Sequence, residues 1–212
     1  MKKIIMATTN FNKVKRIRTL LDGLDYEILS LKDINLNIDE PKETASTPVE
    51  IAIEKALHYV RNLPKDTIVL TQDDTIVFEG VKEEDNPGVH IKEPVISKYG
   101  KFTDELAAEY YKSLADKYGG TIPMTFKYGH AIATKSNEER AILKVVGAES
   151  KLEVRLVNKI NKLETVPGYF LAAVMETKIN DQWVPYNELD ERTLAELDKD
   201  LYASITTLIK NL

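Results

Sequence analysis

The apolar positions of the chain change period several times, and each change marks an element. Lys3-Ile4-Ile5-Met6-Ala7 is a short apolar run that reads as a buried strand. After the polar Thr8-Thr9-Asn10, the residues Val14, Ile17, Leu20 and Leu21 fall at helical spacing and Gly23 closes the segment, giving a strand, a polar turn and a helix. Thr47-Pro48-Val49-Glu50 carries an N-cap residue, a proline at the first helical position and a glutamate three after the cap, which predicts a helix beginning at Thr47. Val49, Ala52, Ile53, Ala56, Leu57 and Val60 share one side of it, leaving Glu50, Glu54 and Lys55 at the margins or on the far face. Thr67-Ile68-Val69-Leu70-Thr71 is strand-like, and Ile76-Val77-Phe78 resumes that pattern after Gln72-Asp73-Asp74-Thr75. Two adjacent acids thus interrupt strand sequence, without the Gly, Pro or Asn-Gly that an ordinary turn prefers.

Farther on, Lys82-Glu83-Glu84-Asp85-Asn86-Pro87-Gly88 is a charged loop, and Thr103-Asp104-Glu105 opens a helix that runs to Lys117 and stops at Gly119-Gly120. Alternation predicts strands over 125–134, 141–147 and 152–158, an antiparallel portion of a sheet. Asn180-Asp181 turns a hairpin between Ala172-Ala173-Val174-Met175 and Trp183-Val184, and a last helix carries Leu194, Leu197, Leu201, Ile205 and Leu208 on one stripe. The elements predict an α/β fold with a long mixed β-sheet flanked by helices and two lobes around a central cleft, in a single domain spanning 1–212.

Charge narrows the partners. With 29 basic against 34 acidic residues the net charge is -5, which argues against long nucleic acid but leaves free nucleotides, whose phosphates need only a local cationic pocket. The absence of cysteine excludes disulfides, thiolate nucleophiles and cysteine-ligated zinc. The apolar stretch after Met1-Lys2-Lys3 is too short for a signal peptide, and no run approaches the roughly twenty apolar residues that span a bilayer, so a cytoplasmic protein without a membrane partner is expected. Zinc-protease, P-loop and serine-hydrolase motifs do not occur.

Three polar clusters carry the candidate chemistry. The turn Thr8-Thr9-Asn10 with Lys13 is a candidate anion seat, because the first N–H groups of a helix lack partners within it; plain helix capping is the alternative. Glu43 lies just before the helix that carries Lys55, a lysine that by itself reads first as a solvated helix residue. Asp73-Asp74, followed by Thr75, suits a hard cation such as Mg²⁺, which takes oxygen ligands and keeps several waters, whereas an exposed turn would explain the acids without one. His90, two residues after Pro87-Gly88, is a candidate contact to a base or a phosphate, against a plain loop histidine. His58 and His130 read as helix and sheet residues, and Tyr169, Phe170 and Trp183 read either as base-stacking or as core aromatics.

In order and spacing, Ala7-Thr8-Thr9-Asn10-Phe11-Asn12-Lys13, Glu43-Thr44, Glu50-Ile51-Ala52-Ile53-Glu54-Lys55-Ala56, Asp73-Asp74-Thr75 and Pro87-Gly88-Val89 resemble the signature segments of the inosine triphosphate pyrophosphatase family. Those enzymes hydrolyse non-standard purine nucleoside triphosphates to the monophosphate and pyrophosphate. The resemblance implies that Asn10 and Lys13 form the phosphate-contacting turn and that Lys55 is a second cation for the phosphate chain. It implies that Glu43 and Asp74 organise Mg²⁺ with Asp73 in support, and that Asp74 activates the attacking water. A homodimer is implied by the same analogy. The second half departs from the pattern: where the family has a glycine-aromatic-aspartate-proline segment for the base, this chain has Pro167-Gly168-Tyr169-Phe170-Leu171, with Phe170 at the aspartate position. Where the family has a lysine and then serine-histidine-arginine, the chain places Leu194 and Asp198-Lys199-Asp200. The expected activity is therefore Mg²⁺-dependent hydrolysis of a nucleoside triphosphate with an altered base preference. The alternatives are a non-catalytic nucleotide-binding protein of this fold and a hydrolase of another phosphorylated metabolite.

Overall fold

The computed structural model describes residues 2–35, 38–135, 141–163 and 169–210. Its elements are β1 (Lys2–Met6), α1 (Phe11–Leu20), β2 (Tyr26–Ser30), α2 (Pro48–Asn62), β3 (Ile68–Phe78), α3 (Glu93–Tyr99), α4 (Asp104–Lys117), β4 (Thr121–Lys135), β5 (Ala141–Glu149), β6 (Val154–Val157), β7 (Met175–Ile179), β8 (Gln182–Pro185) and α5 (Glu191–Lys210). The strands form an eight-stranded mixed sheet in the order β2-β1-β3-β4-β6-β7-β8, with β5 paired to β4. The α/β class and the helix-flanked mixed sheet are as the sequence predicts.

The chain divides into two compact units, one comprising Met1–Asp74, Tyr128–Ala148 and Asp198–Leu212, the other Thr75–Lys127 and Glu149–Leu197. In the first unit β1 pairs in parallel with β2 on one side and with β3 on the other. α2 seats on this sheet through small side chains: Ala52 and Ala56 share a buried cluster with Ile5, Val69, Ala131 and Ala133. Tyr59 and Val60 of the same helix complete it. In the second unit β4, β6, β7 and β8 pair antiparallel. Asn180 and Asp181 turn the β7–β8 hairpin with φ of 49° and 62°, the left-handed conformation that Asn and Asp tolerate.

Four expectations are corrected. Asp73 and Asp74 do not interrupt a strand, since β3 runs unbroken for 11 residues through both acids. The buried side of α2 is Pro48, Ile51, Ala52, Ala56, Tyr59 and Val60, whereas Val49, Ile53 and Leu57 are only half-buried, so the helix is rotated relative to the predicted stripe. The stretch before β7 is a short 3-10 helix, Phe170–Val174, and the strand begins at Met175. On α5 the buried positions include Asp198, Ile205 and Ile209, while Leu194, Leu197 and Leu208 are half-buried; the side chains of Asp200 and Leu201 lie outside the described residues, as do Pro167 and Gly168.

Candidate active site

β1 connects through α1 to β2 on one side, and α2 then carries the chain from β2 past β1 to β3 on the other. A cavity in the first unit opens where these connections diverge, lined by Ala7, Thr8, Lys13, Glu40, Pro41, Glu43, Lys55, Tyr59 and Gln72. Open parallel sheets bind ligands at such a switch point, beyond the carboxyl ends of the strands. The pairing of β3 with β1 ends at Leu70 opposite Met6, so Gln72, Asp73 and Asp74 follow just beyond the end of β1.

Alternation along β3 sends Asp73 and Asp74 to opposite faces of the sheet, and a lysine from each flanking helix meets them. Lys55 of α2 places its Nζ 2.7 Å from Asp73 Oδ1 and 2.7 Å from Glu43 Oε1. Lys13 of α1 pairs with Asp74. Lys55 is thus not the solvated lysine that its helix position allows, since only 17% of its side chain is exposed. The loop that carries Glu43 is tied to α2 by Thr44, whose N–H and hydroxyl donate to Glu54 at 3.0 and 2.5 Å. Glu54 therefore fixes where Glu43 stands, a role the sequence did not single out. Glu40 is held by the Thr9 hydroxyl, which donates to it at 2.6 Å.

Asn10 caps α1: its Oδ1 accepts from the N–H groups of Asn12 at 3.0 Å and Lys13 at 3.4 Å, and Thr8 Oγ1 accepts from Asn10 N–H at 3.1 Å. The capping alternative is thereby realised for two of the N–H groups, and the cationic character of the turn rests on the Lys13 ammonium. Thr75 and His90 belong to the second unit. Thr75 is buried on β3, and His90 is half-exposed with Nδ1 3.0 Å from Glu93 Oε1. His58 holds the loop before α2 through Nε2, 2.8 Å from Asp39 O. Tyr59, Glu40 and Gln72 are cavity residues that sequence reasoning missed, although Tyr59 stands one helical turn after Lys55.

Electrostatics differ between the two acids. Burial raises the Asp74 carboxyl, yet the Lys13 charge and hydrogen bond outweigh it and hold the group below its ordinary range. At Asp73 burial wins over the nearby Lys55 and Lys13 charges and the carboxyl is raised. Burial also acts against the charged form of Lys55, but its two carboxylate partners prevail and keep it protonated. Among the described residues no three His, Asp or Glu side chains converge on one point: Glu43 and Asp73 share Lys55, and Asp74 turns to Lys13.

His130 of β4 is fully buried, and burial, reinforced by the Lys13 charge and opposed by Asp74, lowers its pKa from 6.5 to about 4. Because the folded value lies below the unfolded one, the unfolded chain binds more protons between them; stability is complete above the unfolded pKa and falls as the pH drops toward the folded one. From pH 7.5 to 5 this group alone should remove about 2 kcal/mol. Urea unfolding at the two pH values checks it, and a His130→Gln chain should lose that share of the pH dependence.

A family model described as the Ham1 family matches residues 4–207. The chain belongs to the Ham1 family. The resemblance to the inosine triphosphate pyrophosphatase family is borne out by this match and by curated relatives. The "dITP/XTP pyrophosphatase" of Leptospira interrogans is 34% identical over 91 residues, which are 42% of this chain and 43% of the relative. The protein of that name from Bacillus anthracis is 34% identical over 90 residues, 42% of each chain. The chain thus matches less than half the length of these curated relatives. A solved HAM1 protein from Coxiella burnetii superposes with a TM-score of 0.68 at 16% identity, covering 100% of both chains. The Ham1 protein of Staphylococcus aureus gives 0.61 at 17% identity, covering 98% of this chain and 96% of its own; both share the fold.

The residues at which the sequence departs from the resemblance are held by packing and ion pairs. Phe170 stacks on Tyr111, with ring centroids 6.0 Å apart, and meets Phe102 edge-on at 5.2 Å. It therefore fills an aromatic cluster where a polar group is expected by resemblance. Trp183 is covered by the Arg155 guanidinium 4.1 Å from its ring centroid, and Glu176 fixes that guanidinium at 2.8 and 2.5 Å. That face of the indole is taken. Asp198, in the segment that stands in for serine-histidine-arginine, is buried and pairs with Arg16 at 3.4 Å.

Proposed function

We propose that the chain is a nucleoside triphosphate pyrophosphatase that converts a triphosphate to the monophosphate and pyrophosphate. The observation that carries this reading is the meeting of Lys13, Lys55 and Glu43 in one cavity at the switch point, with Asp73 and Asp74 held by those same lysines. Ham1 membership and the names of its curated relatives support it. Transfer of a phosphoryl-type group needs charge neutralisation and in-line positioning more than covalent chemistry. Lys13 and Lys55 bind and orient the phosphate chain, and Asp74, kept ionised by its neighbours, holds the attacking water and receives its proton.

The donor set fits a divalent cation. Glu43 and Asp73 already surround one positive charge with carboxylate oxygens, and Mg²⁺ needs only one or two carboxylates beside waters and substrate phosphates. Two ammonium groups against Glu40, Glu43, Asp73 and Asp74 leave an acidic site, to which a polyanion comes more readily with a cation. Glu43 and Asp73 would hold Mg²⁺, and the ion would neutralise charge developing on the phosphates.

The base preference departs from that of the relatives, since the position resembling their base-recognising aspartate holds Phe170, already engaged by Tyr111 and Phe102. A cytoplasmic homodimer is adopted by analogy; among the described residues no helix is long and apolar enough to cross a membrane. Calorimetric titration with a triphosphate and Mg²⁺, beside an assay of released pyrophosphate, tests the reading. Heat of binding accompanied by product supports it, whereas binding without product would make the chain a nucleotide-binding protein.

A further inference from the structure

The residue before the acidic pair carries an acceptor that the fold itself does not use. Gln72 is 4% exposed, lines the cavity with Lys13 and Lys55, and buries its Oε1 without a hydrogen-bond partner among the described residues. A buried carbonyl oxygen left unpaired is disfavoured, and an apolar side chain of the same length would avoid that penalty. Helix capping, core packing and strand pairing give no account of it, because β3 needs only the backbone here. The cavity does.

The chemistry of the cavity narrows what Gln72 can meet. A phosphate chain at neutral pH offers acceptors, so an amide oxygen facing it gains nothing; its partner must bring an O–H or an N–H. Alternation puts Gln72 on the same face of β3 as Asp74, two residues on, and these two acceptors are neighbours on one strand. A water has two protons to donate. We propose that Gln72 is a positioning residue: its Oε1 accepts one hydrogen bond from the attacking water while Asp74 accepts the other. This rests on the pyrophosphatase reading above and deepens it.

Fixing both protons fixes the direction of the oxygen lone pair. The water oxygen then forms a bond to phosphorus as the bond from phosphorus to the bridging oxygen breaks. The electron pair leaves with the bridging oxygen on the departing product, and the proton facing Asp74 passes to its carboxylate and on to solvent. Gln72 exchanges no proton. It restricts the water to one orientation, and the cost of its unpaired oxygen is borne in the resting fold, a trade of stability for activity.

Gln72→Met keeps the length and removes the acceptor. The expected result is a kcat lower by at least ~10-fold, with KM changed by less than about twofold and a melting temperature equal to or above that of the wild type. Gln72→Glu keeps an acceptor at the same reach, so its kcat should lie above that of Gln72→Met at neutral pH. An unchanged kcat in Gln72→Met overturns the inference, as does a raised KM with kcat retained, which would assign Gln72 to a substrate hydroxyl. If Gln72→Met melts early, the order of the two variants decides: Gln72→Glu below Gln72→Met overturns it. A wild type that releases no pyrophosphate overturns the pyrophosphatase reading and this one together, whereas an active wild type with an equally active Gln72→Met overturns this one alone.

Discussion

Asp74→Asn is expected to lower turnover by at least ~100-fold, the scale of a lost general base, while leaving KM close to that of the wild type. The carboxylate is held below its ordinary range by the Lys13 charge despite burial, so at neutral pH it is ionised and ready to take a proton. An amide keeps the shape and the strand but cannot accept that proton, and it leaves Lys13 without its carboxylate partner. Initial rates of pyrophosphate release at saturating triphosphate and Mg²⁺ measure the effect, with a melting curve to show that the variant is folded. Undiminished turnover would remove Asp74 from the proposed step.

The second large effect concerns the scaffold. A Cβ added at Gly129 would stand 2.1 Å from Pro48 O, 2.3 Å from Pro48 C and 2.4 Å from Val49 N. All three are backbone atoms of the first turn of α2, so no side-chain rotation relieves the clash. Gly129→Ala is therefore expected to cost about 3 kcal/mol of stability, at the upper end of overpacking effects. Urea unfolding at pH 7.5 checks it. Because α2 carries Lys55, a variant that folds by moving the helix should also lose activity. Wild-type stability would contradict the close seating of α2 on β4.

This seating also explains which parts of the architecture were legible. The starts of α1, α2 and α4 were, because Asn10, Thr47 and Thr103 cap their helices through bonds that span two or three residues, and such local chemistry is written in adjacent positions. The rotation of α2 was not. Periodicity weighs the large apolar residues Val49, Ile53 and Leu57, whereas docking is set by Ala52 and Ala56 against Ala131 and Ala133 and by the Pro48-Val49 backbone against Gly129, partners that lie far away in the chain.

The same contrast applies at the site. Its residues could be singled out because their types and spacing carry a resemblance, yet their mutual arrangement could not. Asp73-Asp74 read as an interruption of strand sequence because two carboxylates are costly inside a strand. Lys13 and Lys55, separated from their partners by 61 and 18 residues, neutralise them and let β3 continue. Gln72 gave no signal of its own, since an isolated glutamine in a strand acquires meaning only when its surroundings leave its oxygen unpaired. Phe170 is the converse case: its departure from the resemblance was visible in the sequence, and its packing on Tyr111 and Phe102 was not.

The central claim is that the two lysines and the acids of β3 act together on a triphosphate. The measurement that tests it most directly is pyrophosphate release by the wild-type protein with Mg²⁺, across inosine, xanthosine, deoxyuridine and standard nucleoside triphosphates. The account predicts pyrophosphate and monophosphate in equal amounts from at least one of them, with loss of product when the metal is chelated. Inorganic phosphate as the only product, or no product from any triphosphate, would contradict it.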